Sequence, residues 1–253
     1  MKNVLITGAT SGIGMEFARR YAQKGYRLIL VGRRVERMDA FERETGATVR
    51  KIVKDISTVD ACKELLNEVS DEEIDIFINN AGFGDAGEFT DSDLEKEIRM
   101  ISVNDMAMHI LFKGILQKME KQGGGQILNV ASSAGLLPAG PYMATYYATK
   151  AYVASLTRAV AHELKQKKSP VHVSALCPGP VDTEFNKNAD VVFALKGISA
   201  EYCVNTCLKG MERNKVIIVP TLSLKALLFL QRILPMKVIL SLVAHQQKKK
   251  IYG

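Results

Sequence analysis

The sequence predicts an α/β fold, a doubly wound parallel β-sheet of about seven strands with helices on both faces. Short runs of β-branched and aliphatic residues alternate with longer amphipathic segments, which is the pattern of βαβ units. The first, second and fourth runs are almost continuously apolar, as expected for strands that are buried on both sides. The first run also leads directly into a glycine-rich turn and a helical segment, which makes the predicted fold Rossmann-like. The predicted strands cover residues 4–7, 27–31, 48–53, 74–79, 126–130, 171–176 and 216–219.

Helix-capping residues support this order of elements. Ser92 or Asp91 is the expected N-cap of one long helix that runs to Met119, and the glycines at 123–125 stop it before the fifth strand. Ser199 is the expected N-cap of a later helix. We therefore expect helix-length crossovers between the strands.

The composition indicates an ordinary globular chain with an unusual charge distribution. The chain has 253 residues, 47% of them hydrophobic and 24% charged, which is long enough for one sizeable core. The net charge is +7, but residues 221–253 carry six basic residues and no acidic one, which leaves only +1 on residues 1–220. Because positive and negative charges nearly cancel over residues 1–220, this part of the chain is not expected to bind nucleic acid. We expect one domain over 1–220 and a short, hydrophobic and basic helical appendage over 221–253.

The cysteines give no sign of a metal site or a disulfide framework. Cys62, Cys177, Cys203 and Cys207 are widely spaced, and no histidine or second cysteine pair completes a site around the last two. The apolar run near the N-terminus is too brief for a secretory signal. We therefore expect reduced thiols, no bound metal and a cytoplasmic location.

The turn after the first strand has the chemistry of a phosphate-binding loop. In this position Gly8 permits a tight turn, Gly12 lets backbone N–H groups approach a pyrophosphate, and Gly14 lets the helix pack closely on the sheet. The spacing G-x-x-x-G-x-G departs from the commoner G-x-G-x-x-G, and a purely structural turn is the alternative. The loop residues expected to contact a dinucleotide are Gly8, Thr10, Ser11, Gly12, Ile13 and Gly14.

The residues after the second strand favour NADP(H) over NAD(H). An acidic side chain at this point would accept hydrogen bonds from a ribose 2′-hydroxyl, whereas Arg33 and Arg34 offer planar donors that match a 2′-phosphate. Arg33 is the first choice, and two exposed arginines that merely begin a helix are the alternative. Asp55, followed by Ile56 after the third strand, is expected near the adenine, or else caps the next helix.

Four further motifs follow in order, and with the glycine loop they resemble the short-chain dehydrogenase/reductase family. They are the N-N-A-G run that contains Asn80, Ala81 and Gly82, then Asn104, then a serine pair after the fifth strand, then Tyr146 and Lys150 in a Y-x-x-x-K pattern. The family serine stands thirteen residues before the tyrosine, which selects Ser133. The resemblance covers about residues 3–220 and implies an oxidoreductase with a dinucleotide-binding catalytic domain.

The chemistry of carbonyl reduction accounts for these residue types. A forming alkoxide needs a proton, and Tyr146 is the expected acid, with Lys150 one helical turn away to favour its ionised form. Ser133 would donate a hydrogen bond to the carbonyl oxygen. Tyr147 and Tyr142 are local competitors for the role of Tyr146, and Ser132 is the alternative to Ser133.

The resemblance implies further roles. Lys150 also holds the nicotinamide ribose, and Asn104 bends its helix around a water that links Lys150 to solvent. The segment after the sixth strand contacts the nicotinamide amide through Pro178, Gly179, Val181 and Thr183. Residues 184–199, with Phe185, Val191, Val192, Phe193, Ala194 and Leu195, are expected to close over an apolar substrate. A homodimer or homotetramer is also implied.

The appendage at 221–253 leaves three interpretations open. Lys225, Arg232, Pro235 and Lys237 interrupt its apolar residues, so a transmembrane helix is not expected. A cover for the substrate pocket, a subunit contact and a peripheral membrane helix each remain possible interpretations. The leading hypothesis is an NADP(H)-dependent enzyme acting on a carbonyl or secondary alcohol of a bulky apolar molecule such as a hydroxysteroid or other lipid. The alternatives are a 3-ketoacyl-thioester reductase and a non-catalytic NADPH sensor or scaffold.

Overall fold

The computed structural model describes residues 1–184 and 197–252, with side chains up to Lys248, and it contains the predicted sheet. The strands are β1 (Asn3–Thr7), β2 (Arg27–Gly32), β3 (Val49–Val53), β4 (Ile76–Asn79), β5 (Gly125–Val130), β6 (Val171–Leu176), β7 (Val181–Asp182), β8 (Ile198–Ser199) and β9 (Ile217–Ile218). Seven of them are parallel and lie in the order β3-β2-β1-β4-β5-β6-β9, and β7 and β8 pair separately. The Rossmann-like α/β prediction is therefore confirmed.

Helices cover both faces of this sheet, because alternate strand residues point to opposite sides. The helices are α1 (Gly12–Gln23), α2 (Val35–Thr45), α3 (Val59–Glu68), α4 (Leu94–Ile101), α5 (Met108–Gln122), α6 (Ala144–Gln166), α7 (Ala200–Glu212), α8 (Leu222–Leu230) and α9 (Met236–Tyr252). Leu5 of β1 belongs to one buried cluster with side chains of α3, α5 and α6, whereas Val4 and Ile6 pack with those of α1, α2 and α7.

The strand order reverses between β1 and β4. From β1 the chain builds outward through β2 and β3, and then returns to place β4 on the other side of β1. In open parallel sheets the crevice beyond the carboxyl ends of strands at such a reversal receives the ligand. The glycine loop after β1 and the N-N-A-G run after β4 both begin at this point.

The helix boundaries agree with the sequence in part. Ser199 caps α7 by accepting a 3.1 Å hydrogen bond from the Tyr202 amide, and Gly123 ends α5 in the left-handed conformation, both as predicted. The N-cap of α4 was predicted wrongly, because Asp93, rather than Ser92 or Asp91, accepts the bond from Glu95 N at 2.9 Å. The single long helix predicted there is divided by a π-helical segment, Ser102–Ala107.

The C-terminal appendage packs partly against the start of α6 and the segment that precedes it. Ile239 and Val243 are buried in a cluster with Met143 and Tyr146, and Gln231 Nε2 donates to the Leu136 carbonyl at 2.8 Å. No helix in the described part of the chain is long and apolar enough to cross a membrane.

The four cysteines are buried free thiols. Within the described residues no group of histidine, cysteine, aspartate or glutamate side chains is arranged to hold a metal ion.

Candidate active site

The glycine loop is tightly packed against the end of β4. Gly8 and Gly12 have φ angles of +63° and +53°, which favour glycine. A Cβ on Gly14 would lie 2.3 Å from the Gly8 carbonyl oxygen, so only glycine fits there. Asn80 secures the loop by donating from Nδ2 to the carbonyls of Thr7 and Gly8, each at 3.1 Å. The loop leaves the N-terminus of α1 open to an anion.

Two of the arginines near the loop are held by an acidic partner. Arg34 donates to Thr10 Oγ1 at 3.2 Å and to Glu184 at 3.2 Å, and Arg37 donates to the other Glu184 oxygen at 2.7 Å. Arg33 is held less tightly: its side chain is 71% exposed, and its ion pair with Asp55 is longer, at 3.7 Å. Arg33, Arg34, Asp55 and Ile56 all line the same cavity as the glycine loop. Of the two arginines predicted to meet a 2′-phosphate, Arg33 is the more exposed.

Tyr146 lies at the centre of the predicted site, and its hydroxyl is hydrogen-bonded to Ser132. Ser132 is the N-cap of a short 3₁₀ helix, and its Oγ accepts a 3.2 Å bond from the Ala134 amide, which leaves its own proton free to be donated. Ser133 begins that helix, and its backbone N–H donates to the Pro178 carbonyl at 2.8 Å. The thirteen-residue spacing favours Ser133, whereas the contact with Tyr146 favours the alternative, Ser132.

Burial raises the pKa of Tyr146 to about 12, and the Ser132 hydrogen bond opposes that shift. The lowering of this pKa by the charge of Lys150 stays a prediction. Lys150 Nζ donates to the Val130 carbonyl at 3.0 Å and lies 5.8 Å from the centre of the Tyr146 ring. Tyr146 is consequently protonated at neutral pH, the state that a proton donor needs.

Lys150 is itself buried, with 4% of its surface exposed. Burial lowers the pKa of this ammonium to about 8, and the negative charge of Asp105 acts in the opposite direction. Asp105 stands in the π-helical segment, where burial raises its pKa to about 6, and its Oδ1 has no hydrogen-bond partner among the described residues. Sequence reasoning missed Asp105, because no motif marks it.

Asn104 is fixed by three hydrogen bonds from the π-helical segment. Its Oδ1 accepts from Phe83 N at 3.0 Å, and its Nδ2 donates to Phe83 O at 2.8 Å and Thr149 Oγ1 at 3.1 Å. A Cβ on Gly82 would lie 2.9 Å from Asn104 Oδ1 and 3.3 Å from Lys150 Nζ. The structure thus brings the N-N-A-G run, Asn104 and Lys150 together, with Ala81 and Gly82 on the cavity wall.

One cavity of about 790 Å³ joins these groups. The glycine loop and arginines lie along it, Tyr146, Lys150 and both serines line it, and Pro178, Gly179, Val181 and Thr183 form another part of its wall. Thr183 approaches the loop closely enough that a Cβ on Gly12 would lie 3.2 Å from Thr183 Cβ. The predicted apolar cover at 184–199 falls mostly on residues 185–196, which lie outside the described residues.

The C-terminal appendage adds residues to this cavity that the motifs did not predict. Leu224 and Leu227 of α8 and Gln247 of α9 line it. Gln247 Nε2 donates to the Tyr147 hydroxyl at 2.6 Å. Tyr147, a competitor for the role of Tyr146, is therefore hydrogen-bonded to α9 and not to Ser132. Tyr142, the other competitor, does not line the cavity.

The comparisons with known proteins agree with this geometry. The family model described as short chain dehydrogenase matches residues 2–191, and the chain belongs to that family. It is 32% identical over 237 residues to a D-beta-hydroxybutyrate dehydrogenase of Rhizobium meliloti, covering 89% of this chain and 90% of that protein. It is 33% identical over 224 residues to a 3beta-hydroxysteroid dehydrogenase of Mediterraneibacter gnavus, covering 83% and 79%.

Solved structures show the same fold with either nicotinamide dinucleotide. A short-chain dehydrogenase from Sphingobium yanoikuyae in complex with NADPH superposes with a TM-score of 0.82 at 30% identity, over 92% of this chain and 94% of that one. A family member from Burkholderia phymatum in complex with NAD superposes with a TM-score of 0.83 at 25% identity, over 91% and 92%. The protein is therefore an oxidoreductase of the short-chain dehydrogenase family.

Proposed function

We propose that this protein is an NADP(H)-dependent oxidoreductase that transfers a hydride between the nicotinamide and a carbonyl or secondary alcohol of a bulky apolar substrate, such as a hydroxysteroid or other lipid. The observation that carries the proposal is the meeting of Tyr146, Ser132 and Lys150 in one cavity with the glycine loop. The loop fits a dinucleotide, because it presents a helix N-terminus and no side chain at Gly8, Gly12 or Gly14. The bound cofactor supplies or accepts the hydride.

The chain's own residues manage the proton. In reduction, Tyr146 Oη gives its proton to the oxygen of the forming alkoxide, and in oxidation it takes that proton back. Ser132 Oγ donates a hydrogen bond that stabilises negative charge on the same oxygen or on the tyrosinate. The Lys150 ammonium stabilises the tyrosinate electrostatically and is positioned by the Val130 carbonyl. Asn104 holds the Phe83 backbone beside Gly82, and so shapes the wall next to Lys150.

Arg33 supports the choice of NADP(H). Replacing Arg33 with serine is expected to raise KM for NADPH by roughly 10–100-fold, because a charge-assisted bond to the 2′-phosphate is lost, and to leave KM for NADH nearly unchanged. Initial rates with each reduced cofactor measure both constants. Arg43→Ser, at an exposed arginine of the following helix α2, serves as the matched control. If Arg33→Ser raises KM equally for NADPH and NADH, the contact with the 2′-phosphate is contradicted.

The cavity walls support an apolar substrate. Phe83, Leu137, Met143, Leu224 and Leu227 line the cavity that also contains Tyr146. A carrier-bound 3-ketoacyl thioester would require a basic rim. The charged lining residues contributed by α4 and its N-cap are instead balanced, with Asp93 and Glu95 beside Lys96 and Arg99. Lys96 is moreover paired with Asp85 at 2.6 Å. The thioester and the non-catalytic sensor are therefore the weaker alternatives.

One experiment separates these alternatives. Purified protein is mixed with NADPH and a panel of ketosteroids, 3-ketoacyl thioesters and small aldehydes, and the loss of reduced cofactor is followed by absorbance. Turnover fastest with ketosteroids supports the proposal, and turnover fastest with thioesters overturns its substrate class. Tight NADPH binding with no turnover on any member would indicate the sensor.

The charge of Lys150 sets a pH dependence for the reduction. Because the Lys150 ammonium loses its proton, and so its charge, as pH rises through about 8, kcat/KM is expected to fall above that pH. Asp105→Asn is expected to move this fall to lower pH, because the charge that raises the Lys150 pKa is removed. Below about pH 6, where Asp105 itself is protonated, the two profiles should converge. Asp91→Asn, at an exposed aspartate, is the control, and superimposable profiles for Asp105→Asn and the wild type would refute the coupling.

Two exposed apolar helix surfaces support the oligomer that the family resemblance implies. Ile98 and Ile101 on α4 are each 46% exposed, and Tyr152 on α6 is 40% exposed. Pairing of these helices with a second subunit would bury them and would produce the homodimer or homotetramer. Light scattering of the wild type and an Ile98→Ser/Ile101→Ser variant tests this assembly.

A further inference from the structure

We propose that the outward side of the C-terminal appendage binds the surface of a membrane that contains anionic lipids. This surface consists of exposed apolar residues of the appendage and of three exposed basic residues, Lys225, Arg232 and Lys237. The apolar residues are Leu222, Phe229, Leu230, Ile233, Met236, Val238 and Leu242. The inference goes beyond the proposed reaction and does not depend on it, because lipid binding by this surface needs neither cofactor nor turnover.

The appendage has an inner and an outer side. Ile239, Val243 and Gln247 follow one another at four-residue intervals on α9 and are buried, whereas Val238 and Leu242, at the neighbouring positions, are exposed. On α8, Leu228 packs against the core, while Leu222 and Phe229 are 80% and 68% exposed. The inner contacts anchor the segment, so the exposed side chains belong to helices that are held in place.

The density of exposed apolar residues is much higher here than elsewhere. Among the described residues, eight of the eighteen exposed large hydrophobic side chains fall between positions 222 and 242. Scattered exposed hydrophobic residues need no explanation, but a concentration of them marks an interaction surface. Water-exposed phenylalanine, leucine and isoleucine side chains gain free energy by entering the acyl boundary of a bilayer.

The charge of the appendage identifies the chemistry of the partner. Lys225, Arg232 and Lys237 are exposed, and within the described residues none of them forms a salt bridge. Lys248, Lys249 and Lys250 follow, and no acidic residue occurs after position 220. Basic residues beside an apolar surface are attracted to anionic headgroups, each strengthening binding roughly fivefold.

A second copy of the chain is a poorer occupant. In a twofold contact the same patch meets itself, so these cations would face one another with no carboxylate in the segment to neutralise them. An anionic membrane supplies the missing charge. Leu224 and Leu227 of the same appendage line the cavity, so docking would also bring the cavity near the phase in which apolar substrates dissolve.

Vesicle flotation of the full chain tests this inference. The probes are vesicles of phosphatidylcholine with phosphatidylglycerol, and vesicles of phosphatidylcholine alone, at low and high salt. We expect salt-sensitive binding to the anionic vesicles only. Phe229→Ser/Ile233→Ser should weaken it at least about tenfold, because two apolar anchors are lost. Phe89→Ser, at a phenylalanine of nearly equal exposure outside the appendage, should leave it unchanged.

A charge variant, Lys225→Gln/Arg232→Gln/Lys237→Gln, should lower the partition coefficient on the order of a hundredfold. Unchanged melting temperatures and NADPH affinity would show that all variants are folded. Absence of wild-type flotation, or equal flotation by the wild type and Phe229→Ser/Ile233→Ser, would overturn the inference. Absence of flotation together with a smaller assembly of that variant in light scattering would assign the surface to a second copy instead. Reductase activity on a water-soluble ketone, measured without vesicles, reports separately on the proposed function.

Discussion

Replacing Tyr146 with phenylalanine is expected to lower kcat for carbonyl reduction by roughly 10²–10⁴-fold, because the general acid is removed and the ring is kept. Tyr146 is 9% exposed and packs with Met143, Ile239 and Val243, and phenylalanine preserves these apolar contacts. The pKa of Tyr146, raised to about 12, means that the wild-type hydroxyl carries its proton at neutral pH. The measurement is the steady-state rate of NADPH oxidation at saturating ketone.

Two comparisons make this result specific. Tyr152→Phe removes a hydroxyl from the same helix, one that contacts His109 at 2.7 Å and does not line the cavity, and should keep near wild-type turnover. NADPH affinity, measured by fluorescence titration, should be little changed in Tyr146→Phe. More than a few per cent of wild-type turnover in Tyr146→Phe, or loss of turnover only in Tyr147→Phe, would show that the acid has been misassigned.

The fold could be predicted because its main determinants are local. Buried parallel strands require continuous apolar runs, and β1, β2 and β4 have them. The glycine loop could also be predicted, because each of its three glycines is required by local geometry. Gly8 and Gly12 adopt left-handed conformations, and Gly14 meets a backbone oxygen where no side chain fits. The placement of Tyr146 and Lys150 on one helix face follows from their spacing of four.

The remaining features depend on contacts that sequence spacing does not carry. Asp105 affects the pKa of Lys150 because a π-helical segment positions its carboxylate, and no capping residue or motif in the sequence predicts that segment. The partnership of Arg34 and Arg37 with Glu184 joins residues about 150 positions apart. Gln247 reaches Tyr147 from the last helix, across a separation of 100 residues. Each of these contacts is a product of tertiary packing, which overrides the local pattern.

The choice between the two serines shows the same limit and gives the second large prediction. Ser132→Ala is expected to lower kcat roughly 10²–10³-fold, the cost of losing one preorganised donor to a developing oxyanion. Ser133→Ala, the same change at the next residue, is expected to have a much smaller effect. The spacing rule counts residues from Tyr146, but the extended conformation of Ser132, with φ −167° and ψ 162°, decides which hydroxyl reaches the tyrosine.

Because Ser132 also caps the 3₁₀ turn through the Ala134 amide, its replacement costs some stability as well. Ser132→Thr keeps a hydroxyl for both contacts and should recover part of the lost turnover. If the role of Ser132 is purely structural, Ser132→Ala lowers the melting temperature but preserves kcat in the folded fraction. Single-turnover reduction with bound NADPH separates the chemical step from binding. If Ser133→Ala proves the more damaging of the two alanine variants, the thirteen-residue spacing identifies the donor correctly, and the Ser132–Tyr146 contact does not represent the reacting arrangement.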